Sequence, residues 1–153
     1  MPDQDLLWFL DTLVKFHVGH ETGTDRVSLM EHLARRGDSP PLHIHRSQDE
    51  VFHILDGEVL IHRPDEGDVT LGAGDTLLAP KGQPHTYRVE SETARWLIVT
   101  NGTDFENFAR AASRPAEAPE LPPASPPPTE EQAAELGRLS AKFGIDLVGP
   151  PLH

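Results

Sequence analysis

The chain has 153 residues, of which 25 are acidic and 13 are Lys or Arg, so its formal net charge is −12. This length predicts a single domain. An acidic surface repels nucleic acid phosphates and anionic membranes, so neither is expected as a partner. The absence of cysteine excludes disulfides and thiol chemistry. The first apolar run, residues 6–10, is too short for a signal peptide, and no run reaches membrane-spanning length, so we expect a cytoplasmic protein.

Short apolar runs bounded by turn residues continue from residue 6 to residue 100. In residues 6–18, Val14, Phe16 and Val18 alternate with polar residues, which predicts a half-buried strand. The Asp56-Gly57 dipeptide predicts a hairpin. Further strands are predicted at residues 27–34, 43–45, 51–55, 58–62, 69–71, 76–79, 85–89 and 95–100. So many short strands predict an all-β sandwich or barrel.

Two short helices are predicted after the last strand. Thr103 and Glu106 have the spacing of a capping box, which would open the first helix. Thr129 and Gln132 repeat that spacing and would open a second helix at about residues 130–143, with an apolar stripe along one face.

Between the two helices, residues 113–128 contain seven prolines and no apolar period, which predicts an extended, solvated linker. We therefore divide the chain into a β-barrel domain with its short helix (residues 1–112), the linker (113–128) and a helical tail (129–153). The tail is expected to dock on a barrel, either its own or that of a partner chain.

The residues best suited to bind a metal lie between Gly37 and Gly57. His43 and His45 are two apart on a predicted strand, so their imidazoles point to the same side. Glu50 opens the next strand and offers a carboxylate, and His85 is a possible third imidazole. Nitrogen and oxygen donors on rigid strands suit a divalent transition metal, without a sulfur ligand to narrow the choice among Fe, Mn, Ni, Co, Cu and Zn.

These residues resemble the two sequence motifs of the cupin family. The last position of the second motif, asparagine in the family pattern, is Val89 here, but that position is not a metal ligand. Nine positions match at the family spacing: Gly37, His43, His45, Glu50 and Gly57 in the first motif, and Gly74, Pro80, Gly82 and His85 in the second.

The resemblance implies a small single-domain cupin, a jelly-roll barrel (double-stranded β-helix) with a metal held by His43, His45, Glu50 and His85. It also implies a homodimer, for which residues 6–10 are a candidate contact with the partner. Phe52, Tyr87 and Trp96 lie on the predicted strands that would enclose the metal, so they are possible walls of a substrate pocket.

The FENF sequence at residues 105–108 resembles that of quercetin-dioxygenase-like cupins, which implies a dioxygenase acting on a small enolisable or aromatic compound. In that group the matching glutamate is both ligand and base, so the resemblance implies both roles for Glu50. Cupin barrels also serve metal-assisted isomerases, cyclases and lyases that use no dioxygen, and non-catalytic binding proteins. These alternatives stay open, because a fold does not fix a function.

Overall fold

The computed structural model describes residues 6–19 and 26–153, and within them the chain forms twelve strands and two helices. The strands are β1 (Leu6–Phe9), β2 (Thr12–Val18), β3 (Ser28–Arg35), β4 (Leu42–His45), β5 (Glu50–Asp56), β6 (Val59–His62), β7 (Val69–Leu71), β8 (Thr76–Ala79), β9 (Thr86–Val89), β10 (Thr93–Thr100), β11 (Ser113–Pro115) and β12 (Ile145–Gly149). The helices are α1 (Asp104–Ala112) and α2 (Glu130–Lys142).

The strands form three antiparallel sheets around one core. The largest has the order β11-β1-β2-β3-β10-β5-β8, the second β7-β6-β9, and the third pairs β12 with β4. Side chains alternate along β3 and β10, and along β5 as far as Ile54, so that one face of each strand is buried, as a two-residue period requires. The architecture is the predicted all-β jelly-roll barrel with short C-terminal helices.

The N-terminal run forms a hairpin where one strand was predicted. Leu10, with a φ of 55°, reverses the chain between β1 and β2, which then pair from Leu6 opposite Lys15 to Phe9 opposite Thr12. Strand β1 also pairs with β11 on its other side. The run proposed to contact a partner is therefore paired within its own chain, although the Leu10 side chain is exposed.

The hairpin predicted at Asp56-Gly57 is wrong. A turn is present, with Gly57 at a φ of 85°, but the strands on either side of it belong to different sheets. Strand β5 pairs with β10 and β8, whereas β6 pairs with β7 and β9. The turn thus carries the chain across the barrel, a long-range arrangement that the local dipeptide does not encode.

The first predicted capping box is also wrong, although α1 itself is present. Thr103 makes no side-chain capping hydrogen bond. Glu106 turns inward instead, where its buried carboxylate accepts hydrogen bonds from Ser28 and Arg110. The second capping box, formed by Thr129 and Gln132, is confirmed at the start of α2.

The proline-rich segment is extended and follows the barrel surface. Trp8 donates its indole N–H to the carbonyl of Glu120 at 2.8 Å, and Arg35 donates to that of Pro122 at 2.9 Å. Beyond it, Leu136, Leu139 and Phe143 pack against the core of the same chain. Neither helix, within the residues described, has the length and apolar character needed to cross a bilayer.

Gly57 offers a direct test of the barrel crossing. A Cβ atom there would lie 2.5 Å from the Thr93 carbonyl oxygen, whereas one at Gly67, also at positive φ, would meet nothing within 4 Å. Gly67→Ala should cost roughly 1–2 kcal/mol for its backbone conformation alone. Gly57→Ala should cost a further ~1–3 kcal/mol, because the crowded backbone must shift. Urea unfolding followed by tryptophan fluorescence measures both; equal losses would contradict a close crossing.

Candidate metal centre

The four predicted metal-binding side chains come together at the place where the three sheets meet. His43 and His45 lie on β4 of the two-stranded sheet, and Glu50 is the first residue of β5 in the large sheet. His85 immediately precedes β9 of the third sheet. One potential ligand atom from each of the four lies within 4.8 Å of those of the others.

Backbone hydrogen bonds hold the two motifs against each other. The His43 N–H donates to the His85 carbonyl at 3.1 Å, and the His85 N–H donates back to the His43 carbonyl at 3.0 Å. The Gly82 N–H donates to the His45 carbonyl at 2.9 Å. On its other edge, β4 pairs with β12, with Ile145 opposite His45. The strand that carries two imidazoles is therefore fixed on both edges.

A single carboxylate oxygen is close to two of the imidazoles. Glu50 Oε2 lies 2.9 Å from His45 Nε2 and 3.1 Å from His85 Nε2. Glu50 is 2% exposed and His85 1%, so these contacts lie in the protein interior. Ligand atoms about 2.1 Å from a shared metal, and at right angles around it, are about 3.0 Å apart. The spacing of these three atoms therefore suits neighbouring positions around one ion.

The hydrogen bonds of the imidazole rings also suit a cation. His43 Nδ1 lies 2.7 Å from the Pro41 carbonyl oxygen and His85 Nδ1 lies 3.3 Å from that of Gln83, so each Nδ1 carries a proton to donate. In the neutral ring this leaves Nε2 with a free electron pair. Neither ring nitrogen of His45 has a hydrogen-bond partner among the described residues, despite the short contact with Glu50. The donor set therefore fits a divalent metal.

The pKa shifts of His43 and Glu50 favour their deprotonated forms, which are the forms that bind a metal. Burial, followed by the neighbouring His85 and His45, lowers the pKa of His43 to about 3, so this imidazole is neutral at pH 7. Burial opposes ionisation of Glu50, but His45 and His85, whose ring nitrogens lie within 3.1 Å of its Oε2, together hold its pKa well below the usual value. Burial also opposes charge on His85, yet Glu50 raises the pKa of His85. In the absence of metal, Glu50 and His85 are therefore expected to share a proton.

A cavity of about 1120 Å³ opens onto this cluster, and His43, His45 and Glu50 form part of its wall. Most of the remaining wall is apolar, including Phe9 and Phe105. The C-terminal tail closes one side with residues from α2 and β12, among them Leu136, Leu139, Ile145 and Leu147. The cavity therefore lies between the barrel and its own tail.

The three residues predicted to line a pocket occupy different layers. Phe52 and Tyr87 line the cavity, and their ring centroids are 6.4 Å apart. Trp96 is fully buried behind Tyr87, at a centroid distance of 5.0 Å, and is absent from the described cavity wall. Trp96 thus supports the wall from the core.

Two polar residues of the cavity wall were missed by the sequence analysis. His32 is buried with its ring stacked between Trp96 and Phe105, and burial lowers the pKa of His32 to about 4, although the charge of Glu50 opposes this. Asp38 lies in the loop after β3 and accepts hydrogen bonds from Thr12 and Tyr87. The alternation of residues along β3 could have predicted that His32 points inward. No motif or periodicity in the sequence predicts that Asp38 lies in the cavity wall.

Comparison with known proteins agrees with this geometry. The family model described as "Cupin domain" matches residues 29–100, which include all four residues of the cluster. Residues 29–100 therefore form a cupin domain. Quercetin 2,3-dioxygenase from Bacillus subtilis (strain 168) is 28% identical over 116 residues, 75% of this cupin and 34% of the relative. This cupin therefore spans about a third of that protein's length.

Solved structures with the same fold as this chain include two enzymes. The polyketide cyclase RemF from Streptomyces resistomycificus is 22% identical, with a TM-score of 0.59, over 88% of this cupin and 89% of that chain. The DMSP lyase DddQ from Ruegeria pomeroyi DSS-3 is 23% identical, with a TM-score of 0.54, over 60% of this cupin and 47% of that chain. The match with RemF extends over most of both chains, so the fold likeness is not confined to the central barrel strands.

Asp38 should make the stability of this cupin depend on pH. Burial, opposed by the Thr12 hydrogen bond and aided by the charge of Asp11, raises the pKa of Asp38 to about 6. Because the folded state binds this proton more tightly than the unfolded state, the contribution of Asp38 is present below pH ~4 and is lost as pH rises through 6. Asp38→Asn should therefore stabilise the metal-free protein at pH 7.5, by up to about 3 kcal/mol.

Thermal unfolding of the metal-free protein at pH 7.5 and pH 4 measures this effect, and at the lower pH the gain should nearly vanish. Asp65→Asn, in an exposed turn, is the matched control and should change little at either pH. A gain of equal size at both pH values would show that the charge of Asp38 is not its cause.

Proposed function

We propose that this cupin is a metal-dependent enzyme in which His43, His45, Glu50 and His85 hold one divalent transition metal. The observation that carries the proposal is the meeting of three imidazoles and one carboxylate at a buried wall of a large cavity. An uncompensated cluster of this kind is costly in a protein interior, whereas a bound cation would use all four donors. The ion is Fe, Mn, Ni, Co, Cu or Zn, since imidazole and carboxylate donors accept each of these.

The reaction we propose is oxygenation of a small enolisable or aromatic compound, as the name of the Bacillus relative suggests for that protein. When bound, the metal would polarise a substrate oxygen and, if redox-active, allow reaction with dioxygen. The protein itself would supply an apolar cavity that excludes water, and a carboxylate to take up a substrate proton. Glu50 suits this last role because it lines the cavity and its Oε1 accepts no hydrogen bond from the described residues.

Metal-assisted cyclisation, isomerisation or elimination without dioxygen is the second candidate. It is favoured by the match with a protein named as a polyketide cyclase over most of both chains, and by a donor set that does not require a redox-active ion. In that case the metal would act as a Lewis acid, and the cavity would fold or orient the substrate. A binding protein with no turnover is the remaining outcome of the tests below.

Metal binding is tested by removing ligands one at a time. His43→Ala and His85→Ala should each weaken metal binding by at least about 100-fold, because one coordination position is left to water. His62→Ala is the matched control, since His62 lies on β6 and pairs with Asp68 at the surface. Elemental analysis and titration with zinc measure occupancy and affinity. Unchanged binding in both cluster variants would refute the metal centre.

The reaction is tested by metal content and oxygen uptake together. Protein loaded separately with each candidate ion is mixed with a flavonol or another enolisable compound, and oxygen consumption and products are followed. Glu50→Gln should lower turnover by about 100-fold or more while retaining part of the metal, because the amide cannot accept the proton. Full turnover in this variant would overturn the role of Glu50 as base. Products without oxygen uptake favour the second candidate, and binding without product favours a binding protein.

A further inference from the structure

A second polar group stands in the cavity wall apart from the metal cluster. Asp38, Thr12 and Tyr87 all line the cavity, and they come from three different places in the chain: the loop after β3, the start of β2 and the middle of β9. Thr12 and Tyr87 are buried, so Asp38 is the charged member of an otherwise enclosed group. Nothing in the proposed metal chemistry uses these three residues.

The hydrogen bonds of Asp38 are few and long. Its Oδ2 accepts hydrogen bonds from the Thr12 hydroxyl at 3.3 Å and the Tyr87 hydroxyl at 3.4 Å. Both are longer than the usual range of about 2.5–3.0 Å for O–H···O bonds. Its Oδ1 accepts no hydrogen bond from the described part of the chain. The positive charge of Arg35 also acts on Asp38, but the described hydrogen bond of Arg35 goes to the Pro122 carbonyl. The Asp38 carboxylate would therefore still be stabilised by a hydrogen-bond donor that enters the cavity.

The group is placed to act together with the metal cluster. Tyr87 lies on β9, two residues after His85 in an extended segment, so their backbones are about 7 Å apart, and both side chains are buried. The Tyr87 hydroxyl donates to Asp38, and the charges of both Asp38 and Glu50 act on it. Phe52 lies beside both rings, with its centroid 5.9 Å from that of His85 and 6.4 Å from that of Tyr87. An aromatic wall thus connects the metal end of the cavity to the Asp38 end.

We propose that Asp38 is a second anchor for the substrate. Its carboxylate accepts a hydrogen bond from a hydroxyl group on the ring system of the compound, at the end remote from the metal-chelating oxygens. Thr12 and Tyr87 are positioning residues that orient the carboxylate. The substrate class is then a hydroxylated aromatic compound with a chelating pair of oxygens at one end. This inference deepens the proposed function, because its metal-chelating end rests on that function.

The first experiment compares two flavonols of the same shape with zinc-loaded protein. One carries a hydroxyl group on its pendant phenyl ring, and the other carries fluorine at that position. Wild-type protein should bind the hydroxyl compound about tenfold more tightly, as expected for a hydrogen bond to a charged group. Asp38→Asn should reduce this preference to about twofold or less, and Tyr87→Phe to an intermediate value. Quenching of tryptophan fluorescence provides the readout, since Trp96 packs against Tyr87.

The preference between two compounds is measured, rather than affinity alone, because a merely structural defect would weaken both equally. Asp65→Asn is the control and should keep the full preference. A preference that survives intact in Asp38→Asn, or equal binding of the two flavonols to wild-type protein, would overturn the anchor.

The second experiment separates this inference from the proposed metal chemistry. Metal-free wild-type protein is titrated with β-naphthol and with β-fluoronaphthalene, which lack a chelating pair. A preference for the naphthol that disappears in Asp38→Asn supports the anchor, even if zinc-loaded protein binds neither flavonol and the metal-dependent function fails. Equal binding of the two naphthalenes, or binding of neither, would refute the anchor whatever the metal does.

Discussion

The structure depends on one crowded contact, in which Glu50 Oε2 lies within 3.1 Å of ring nitrogens from two histidines in the protein interior. Burial of a carboxylate among neutral imidazoles is unfavourable unless a proton or a metal ion compensates the charge. Each of the three sheets contributes to this contact or to its surroundings. A shift of any one sheet would therefore separate the cluster, which ties the position of the ligands to the closure of the barrel.

The C-terminal tail has two roles that follow from one pairing. Strand β12 hydrogen-bonds to β4, the strand of His43 and His45, and so fixes the edge opposite the bridge to His85. Side chains of the same strand, Ile145 and Leu147, then face the cavity. Because one segment both supports the ligand strand and walls the cavity, its displacement would open the cavity and loosen two ligands together.

The cluster and the barrel could be predicted from sequence because their signals are local. Strand alternation places His43 and His45 on one side, and the turn glycines mark where strands end. The partners of those strands are not local, so Asp56-Gly57 predicted a hairpin although the chain crosses between sheets there. Strand β12 was missed for the same reason, since its apolar residues gain their role only from pairing with β4, about a hundred residues earlier.

Two acidic residues, Glu106 and Asp38, were misassigned or missed because their partners come from distant parts of the chain. Glu106 fits a capping box by spacing, yet it pairs with Ser28 in the interior, where a buried carboxylate finds stronger partners than at a helix end. Asp38 has no motif, and its importance arises only because β2 and β9 bring Thr12 and Tyr87 to it. Spacing identifies groups that act with sequence neighbours, but not those whose partners arrive through the fold.

The distribution of polarity in the cavity narrows the kind of compound that it suits. Acceptors and metal-binding groups stand at the cluster and at Asp38, while Phe9, Phe52 and Phe105 supply wall between or beside them. A small organic acid would occupy only part of about 1120 Å³ and leave the aromatic wall in contact with water. A ring compound would cover that wall, and the apolar surface buried in this way would strengthen its binding. Size, wall and polar groups therefore favour the same class of ligand, with oxygens at both ends of an aromatic body.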